Sequence, residues 1–121
     1  MVKAVLDTNI LIDFLRGLPQ ARAEMDMYTL RAISVVTWIE VLVGAEPTAL
    51  AKTLAFLEKF EVIPLDETVA MRAASIRRQH RVKLPDAIVW ASADVGSLLL
   101  VTRNTKDFPA GTPRVRHPYS L

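Results

Sequence analysis

The sequence predicts an α/β fold with a mainly parallel central sheet, and two observations carry this prediction. Short apolar runs of strand length alternate along the chain with segments whose apolar residues recur at helical spacing. Strands that alternate with helices pair in parallel through right-handed crossovers, so helices cover both faces of the sheet. We expect residues 1–121 to form one such domain, because this length suits a single compact unit.

The first half of the chain predicts three strands and four helices. Each strand is a short run of apolar residues, and each helix shows apolar residues three or four positions apart. Glycines mark the ends of two of the helices. In order, the predicted elements are a strand over Val2–Leu6, a helix ending at Gly17, a helix over 19–28, a strand over Ala32–Val36, a helix from Thr37 to Gly44, a helix over 47–60 and a strand over 62–65.

The second half predicts two helices, a buried strand and an edge strand. Residues 66–68 have the composition of a helix start, and the helix after them ends in basic residues, which suit a helix C-terminus. A second helix begins at Pro85 and ends at Gly96. Residues 98–101 are the most apolar strand of the chain, and the tail over 115–121 is expected to add an edge strand.

Composition excludes several kinds of site and compartment. The chain has no cysteine, so disulfides, zinc–thiolate sites and thiol nucleophiles are excluded, and we expect a cytoplasmic setting. No apolar run approaches the roughly 18 residues needed to span a bilayer, so we expect no membrane association. The N-terminus carries charge too early for a signal peptide.

Acidic and amide side chains fall at corresponding points of the predicted topology. Asp7 directly follows the first strand, and Asn104 and Asp107 follow the last buried strand. Glu40 and Asp86 fall in predicted first turns of helices. Because the carboxyl ends of parallel strands share one edge of a sheet, we expect these side chains to meet there.

Carboxylates gathered in this way predict a metal site. Three of them within a few ångströms repel one another unless a cation compensates. An oxygen-only ligand set suits Mg²⁺, with Mn²⁺ as a substitute, and such an ion activates water and stabilises charge on a phosphoryl oxygen. Taken singly, each acid also has a structural explanation: Asp7 as a helix cap, Glu40 in a capping box with Thr37, and Asp86 at the positive end of a helix dipole.

Charge points more weakly to a polyphosphate partner. The formal net charge is +2, from 15 basic and 13 acidic residues, so an acidic pocket would leave a basic surface around it. An ordinary solvated surface explains the same counts. The candidates for contacts to a nucleic-acid backbone are Arg77, Arg78, Arg81, Lys83 and Arg103.

Four blocks of the sequence together resemble PIN-domain nucleases, specifically the VapC toxin family of toxin–antitoxin pairs. They are VLDTNILI at 5–12, SVVTWIEVLVG at 34–44, LPDAIVWASA at 84–93 and LVTRNTKDF at 100–108, in the family's order. The resemblance implies a three-layer α/β/α fold and an Mg²⁺-dependent endoribonuclease. It also implies a homodimer and a VapB-type antitoxin that occupies the active-site groove.

The resemblance also assigns roles to residues. Asp7, Glu40 and Asp86 take the places of the family's first three acids and are the expected metal ligands. The fourth acidic place falls on Asn104, a departure from the pattern, and Asp107 three residues later is the alternative. Thr102 resembles the family's hydroxyl residue that orients an acid or a phosphate. We assign Asn9, Thr102 and Arg103 to substrate binding.

Three other functions fit the sequence less well. A signalling receiver domain and an Asp-x-Asp phosphatase both need a second aspartate beside the first, whereas Asp7 is followed by Thr8 and Asn9. A PIN-like module that binds RNA or a protein without catalysis stays open, although the three acids argue against it. RNA cleavage with Mg²⁺ that Asp7→Asn removes would separate the enzyme from the binding module.

Overall fold

The computed structural model describes residues 3–121, which form a five-stranded sheet with six α-helices and one 3₁₀ turn. The elements are β1 (Lys3–Leu6), α1 (Thr8–Leu15), α2 (Pro19–Asp26), β2 (Leu30–Ser34), α3 (Val35–Val43), the 3₁₀ turn (Pro47–Ala49), α4 (Leu50–Leu57), β3 (Glu61–Ile63), α5 (Glu67–His80), α6 (Leu84–Val95), β4 (Leu99–Val101) and β5 (Val115–Arg116). The predicted order of strands and helices is confirmed; Val2 lies outside the described residues.

All pairings in the sheet are parallel, as the alternation of strands and helices predicts. The strand order is β3-β2-β1-β4-β5, so β1 lies at the centre between β2 and β4. From β1 the chain moves outward through β2 to β3 and then returns to the other side of β1 for β4. This reversal leaves the carboxyl ends of β1, β2 and β4 side by side.

Two hydrophobic cores make the molecule three-layered, because side chains of each strand alternate between the two faces of the sheet. Val5 and Leu100 point to one face, where they pack with buried residues of α5 and α6. Leu6 and Ile33 point to the other face and pack with α1, α2 and α4. The predicted α/β/α arrangement is therefore confirmed.

Two boundaries differ from the sequence prediction in a way that affects the site. β2 ends at Ser34 rather than at Val36, and α3 begins at Val35 rather than at Thr37. The reason is a cap, since the Ser34 hydroxyl accepts a hydrogen bond from the Val36 N–H at 3.1 Å. The apolar residues Val35 and Val36 continue the strand pattern in the sequence but belong to the first turn of the helix.

The tail forms the predicted edge strand, but β5 is only two residues long. It pairs with β4 in parallel through Val115 opposite Leu100. No helix in residues 3–121 has both the length and the apolar character needed to cross a lipid bilayer.

Candidate active site

The carboxyl edge of the sheet carries a cavity of about 430 Å³ that is lined by six of the eight predicted site residues, including Asn9 and Arg103. Asp7 enters it from the end of β1, and Asn104 from the loop after β4. Glu40 reaches it from α3 and Asp86 from the first turn of α6. Residues separated by up to 97 positions in the chain thus meet because the topology brings their elements to one edge.

Asp7 is the most enclosed of the predicted acids, with 5% of its surface exposed. Its Oδ1 accepts a hydrogen bond from the Thr8 N–H at 2.8 Å, so it also caps α1. Its Oδ2 accepts from the Thr102 hydroxyl at 2.7 Å and from the Asn9 amide at 3.2 Å. Burial raises the pKa of Asp7 above its ordinary value; the two hydrogen bonds from Thr102 and Thr8 oppose the rise without cancelling it.

Thr102 and Asn9 organise this corner of the cavity. The Thr102 hydroxyl, fully buried, also accepts from the Asn9 amide at 3.2 Å and from the Asn104 N–H at 3.0 Å. The Asn9 carbonyl oxygen accepts from the Arg103 N–H at 3.1 Å. Both side chains therefore hold Asp7 and the loop after β4 in place, and their polar atoms are engaged within the protein.

Glu40 lies in the second turn of α3, and the expectation of a first-turn position is wrong. Because Ser34 caps the helix, Thr37 is already inside it and no capping box forms between Thr37 and Glu40. The Glu40 Oε1 instead accepts from the Thr8 hydroxyl at 2.6 Å, and the hydroxyls of Thr8 and Thr37 lie 3.0 Å apart. A chain of two threonines thus links α3 to the start of α1 beside Asp7.

Asp86 interacts most directly with Asp107. Burial and then the negative charges of Asp107 and Asp7 raise the pKa of Asp86 to about 6. Asp107 has a lowered pKa, chiefly because the Asn104 amide donates to its Oδ2 at 2.9 Å. Of the two carboxyl groups, Asp86 is therefore the one that stays protonated to the higher pH.

Asn104 and Asp107, the two candidates for the fourth acidic place, occupy different positions. Asn104 lines the cavity and Asp107 does not. Asp107 instead forms hydrogen bonds with both the nitrogen and the oxygen of the Asn104 side-chain amide. The Asn104 Oδ1 accepts from the Asp107 N–H at 3.1 Å. Asp107 therefore affects the cavity indirectly, by orienting the Asn104 amide and by raising the pKa of Asp86.

The carboxylates share the cavity but do not close around one point. Within residues 3–121, no three acidic or histidine side chains are spaced so that they would hold a metal ion by themselves. Each acid has its own hydrogen-bond partner: Thr102 for Asp7, Thr8 for Glu40 and Asp107 for Asp86. Their chemistry still fits a hard cation, because the donors are all oxygen and, after burial, the negative charges of Asp107 and Asp7 raise the pKa of Asp86.

Asp13 is a site residue that the sequence analysis missed. It lies on α1, lines the same cavity and is 3% exposed. It binds Arg103 through two hydrogen bonds, of 2.6 and 3.1 Å. Its one available signal was position, because an acid four residues after Asn9 in an apolar helix lies on the same helix face.

Three of the predicted RNA-contacting arginines gather at a second place. Arg77, Arg78 and Arg81 line a separate cavity of about 510 Å³ at the end of α5, together with Leu84 of α6. Arg103 is the one candidate of this set in the acidic cavity. The four predicted arginines are thus divided between the acidic cavity and this second cavity, and Lys83 lines neither.

Comparisons with known proteins show which family the chain belongs to. Residues 4–110 match the model of the PIN domain family. The chain is 34% identical over 115 residues to "Ribonuclease VapC10" of Mycobacterium tuberculosis (strain CDC 1551 / Oshkosh), covering 87% of this chain and 85% of that protein. It is 32% identical over 122 residues to "tRNA(fMet)-specific endonuclease VapC" of Shigella flexneri, covering 89% and 91%.

Among solved structures, one chain of a "Toxin-antitoxin complex from Klebsiella pneumoniae" superposes with a TM-score of 0.92. It is 42% identical, and the match covers 98% of this chain and 99% of that one. Sequence, fold and cavity therefore agree: the chain belongs to the PIN domain family and, within it, to the VapC ribonucleases.

Proposed function

We propose that this chain is a metal-dependent endoribonuclease that hydrolyses RNA phosphodiester bonds in the acidic cavity, with Mg²⁺ as its ion and Mn²⁺ as a substitute. One observation carries the proposal: Asp7, Glu40 and Asp86 line one cavity, and charge repulsion contributes to the raised pKa of Asp86. We regard residues 1–121 as a single PIN domain.

Asp7, Glu40 and Asp86 are the proposed ligands, directly or through water. Mg²⁺ favours this arrangement because it retains several of its waters and takes few protein carboxylates. When bound, the ion supplies an activated water and stabilises charge that develops on the phosphoryl oxygens. Asn104 contributes a carbonyl oxygen at the cavity wall, and Asp107 fixes the orientation of that amide.

The remaining polar residues orient this ligand set. Thr102 and Asn9 hold Asp7 in one rotamer, and Thr8 does the same for Glu40. This supports a positioning role for Thr102 and Asn9 in place of the substrate-binding role that the sequence predicts. Arg103 lines the cavity and its side chain is 28% exposed, which supports a contact between Arg103 and the substrate.

The test is RNA cleavage by purified chain, free of any partner, with and without Mg²⁺. We expect cleavage that EDTA stops and that Asp7→Asn removes. Asp66→Asn is the matched control, because Asp66 is an exposed carboxylate that caps α5 away from the cavity. RNA binding without cleavage by the wild-type chain would instead support the catalytically inactive binding module.

We also propose that the chain is the toxin of a toxin–antitoxin pair, that it forms a homodimer, and that it acts in the cytoplasm, where its RNA substrate is found. The similar chain from Klebsiella pneumoniae was solved as a toxin–antitoxin complex, which supports an antitoxin partner. Exposed apolar residues on α3 support a covered surface, since Val43 is 80% exposed and Ile39 is 49% exposed. Size-exclusion chromatography of the chain, alone and with the product of the adjacent small gene, tests both assemblies.

A further inference from the structure

The active-site cavity is lined by an arginine, Arg103, whose orientation is fixed by the carboxylate of Asp13. The Arg103 Nε donates to Asp13 Oδ2 at 2.6 Å, and its Nη2 donates to Asp13 Oδ1 at 3.1 Å. This is the two-point geometry in which the guanidinium fork matches a carboxylate, and it sets the plane as well as the position of the group. The Arg103 N–H is held as well, by the Asn9 side chain.

The C-terminal segment completes this clamp. The Tyr119 hydroxyl donates to Asp13 Oδ2 at 2.9 Å, from a residue 106 positions further along the chain. Asp13 thus accepts hydrogen bonds from Arg103, in the loop after β4, and from Tyr119, in the tail that follows β5. The segment after β5 is therefore connected to the active-site cavity through one buried carboxylate.

The contacts with Asp13 leave several N–H donors of the Arg103 guanidinium for other partners. A guanidinium has five N–H donors, and Asp13 uses one on Nε and one on Nη2. The donors on Nη1 and the second one on Nη2 form the other edge of the fork. The Arg103 side chain lines the cavity and is 28% exposed, so an oxyanion in the cavity can reach it.

We propose that Arg103 binds a phosphate oxygen of the RNA strand in the cavity, and that Asp13 and Tyr119 are positioning residues that aim it. The proposal rests on the ribonuclease function proposed above and extends it to the C-terminal segment. The Asp13 carboxylate offsets part of the charge of Arg103, so we attribute the role of Arg103 mainly to the direction of its N–H donors. A fixed donor aimed at a phosphate contributes to catalysis without reorganising during the reaction.

The molecule contains a second clamp of the same composition away from the cavity. Glu24, 4% exposed, accepts from Arg116 at 2.7 and 2.9 Å and from the Tyr28 hydroxyl at 2.6 Å. It too fastens the C-terminal segment, but none of its residues lines the acidic cavity. Glu24 and Tyr28 are therefore matched controls for Asp13 and Tyr119.

The experiment is a double-mutant cycle on kcat/KM for a short RNA with Mg²⁺, normalised to folded protein by circular dichroism. We expect Arg103→Gln to lower kcat/KM by on the order of 100-fold and Asp13→Asn by on the order of tenfold. Because Asp13 acts through Arg103, the double variant should be no worse than Arg103→Gln alone. Glu24→Gln should leave kcat/KM within about twofold of wild type once normalised. In EDTA, where RNA is not cut, Arg103→Gln should weaken RNA binding severalfold by fluorescence anisotropy.

Additive losses in the cycle, or equal losses in Asp13→Asn and Glu24→Gln, would show that the clamp only anchors the tail. If Asp13→Asn does not fold, Tyr119→Phe against Tyr28→Phe decides the question, since each removes one hydroxyl from a buried carboxylate. A loss of kcat/KM confined to Tyr119→Phe supports the proposal, and equal kcat/KM in the two variants overturns it. An inactive wild-type chain would contradict the ribonuclease function itself, whereas these outcomes concern the clamp alone.

Discussion

Thr102 shows how much one buried hydroxyl contributes to the site. It donates to Asp7 and accepts from the Asn9 amide and the Asn104 N–H. Thr102→Val keeps the shape and removes all three hydrogen bonds, so we expect a loss of about 1–3 kcal/mol in the free energy of unfolding. Metal affinity should fall by roughly 10–100-fold, as when outer partners of metal ligands are lost.

Urea unfolding and calorimetric titration with Mn²⁺ measure these two effects. Thr102→Ser is the control, because it retains the hydroxyl and should stay close to wild type in metal affinity. Wild-type metal affinity in Thr102→Val would mean that Asp7 needs no orienting partner.

Asp7 itself illustrates a conflict between stability and function. Burial raises its pKa, so the ionised carboxylate is disfavoured in the folded, metal-free protein. Asp7→Asn removes the charge and keeps an oxygen for the Thr8 N–H. We therefore expect the metal-free variant to be at least as stable as wild type at pH 7 and to lose RNA cleavage by more than about 100-fold. Thermal melts in EDTA beside cleavage assays check both parts, and an active variant would remove Asp7 from the ligand set.

The raised pKa of Asp86, about 6 against an ordinary 3.8, gives the site a defined pH dependence. Ligation needs the ionised form, so cleavage at low Mg²⁺ should rise as pH increases through about 6. The folded protein binds more protons than the unfolded chain between these two values, so this group's contribution to metal-free stability falls as pH rises across that window. Relative to wild type, Asp86→Asn should therefore gain stability between pH 4 and 7.

Asp107 provides the control for that pH dependence. Among the negative charges that raise the pKa of Asp86, Asp107 has the largest effect, so Asp107→Asn should lower the pKa of Asp86 and shift the rise in cleavage to lower pH. Cleavage profiles from pH 4.5 to 8 test this shift. An unchanged midpoint would assign the profile to another group.

Residue-level prediction succeeded where topology alone decides a position. Asp7, Asp86 and Asn104 lie at strand or helix ends, and the parallel sheet brings such ends together whatever the loops do. Asp13 and Tyr119 meet because the tail after β5 returns across α1, and no periodicity in the sequence encodes that path. The partition between Asn104 and Asp107 likewise depends on the loop conformation after β4.

Helix α3 shows the same limit at the level of an element. Its apolar first turn continues the pattern of β2, so hydrophobicity alone places the boundary two residues late. The decisive interaction is local, between the Ser34 hydroxyl and the Val36 N–H. The start of the helix in turn sets which face Glu40 occupies when it reaches Thr8.

Ser34→Ala tests this cap. We expect a loss of about 1 kcal/mol in the free energy of unfolding, because the first turn of α3 loses its acceptor. Ser34→Gly, which typically costs an N-cap only a few tenths of a kcal/mol, is the comparison. Chemical denaturation measures both variants. If Ser34→Ala matches wild type, the helix does not depend on this cap for its start.

At the scale of the whole molecule, charge is arranged by face although the net charge is only +2. The carboxyl edge of the sheet holds the acidic cavity, and the end of α5 beside it holds the cavity of Arg77, Arg78 and Arg81. Arg77 donates to the Val82 carbonyl at 2.7 Å and so fixes the turn into α6, the helix that carries Asp86. Composition alone could not predict this separation, because it depends on how α5 and α6 pack.

Arg78 and Arg81 are exposed at that second cavity, which suits sequence-independent contacts to an RNA backbone. If each neutralises one phosphate of single-stranded RNA, the Arg78→Gln, Arg81→Gln double variant should lower the slope of log affinity against log salt by about 1.4. The positions of cleavage should not change, since phosphate contacts carry no base information. Lys59→Gln removes an exposed charge just after α4, on the opposite face of the sheet, and should leave the slope as in wild type. Filter binding in EDTA from 50 to 200 mM salt, with mapping of the cut ends in Mg²⁺, measures both quantities; a wild-type slope or displaced cut sites would contradict this assignment.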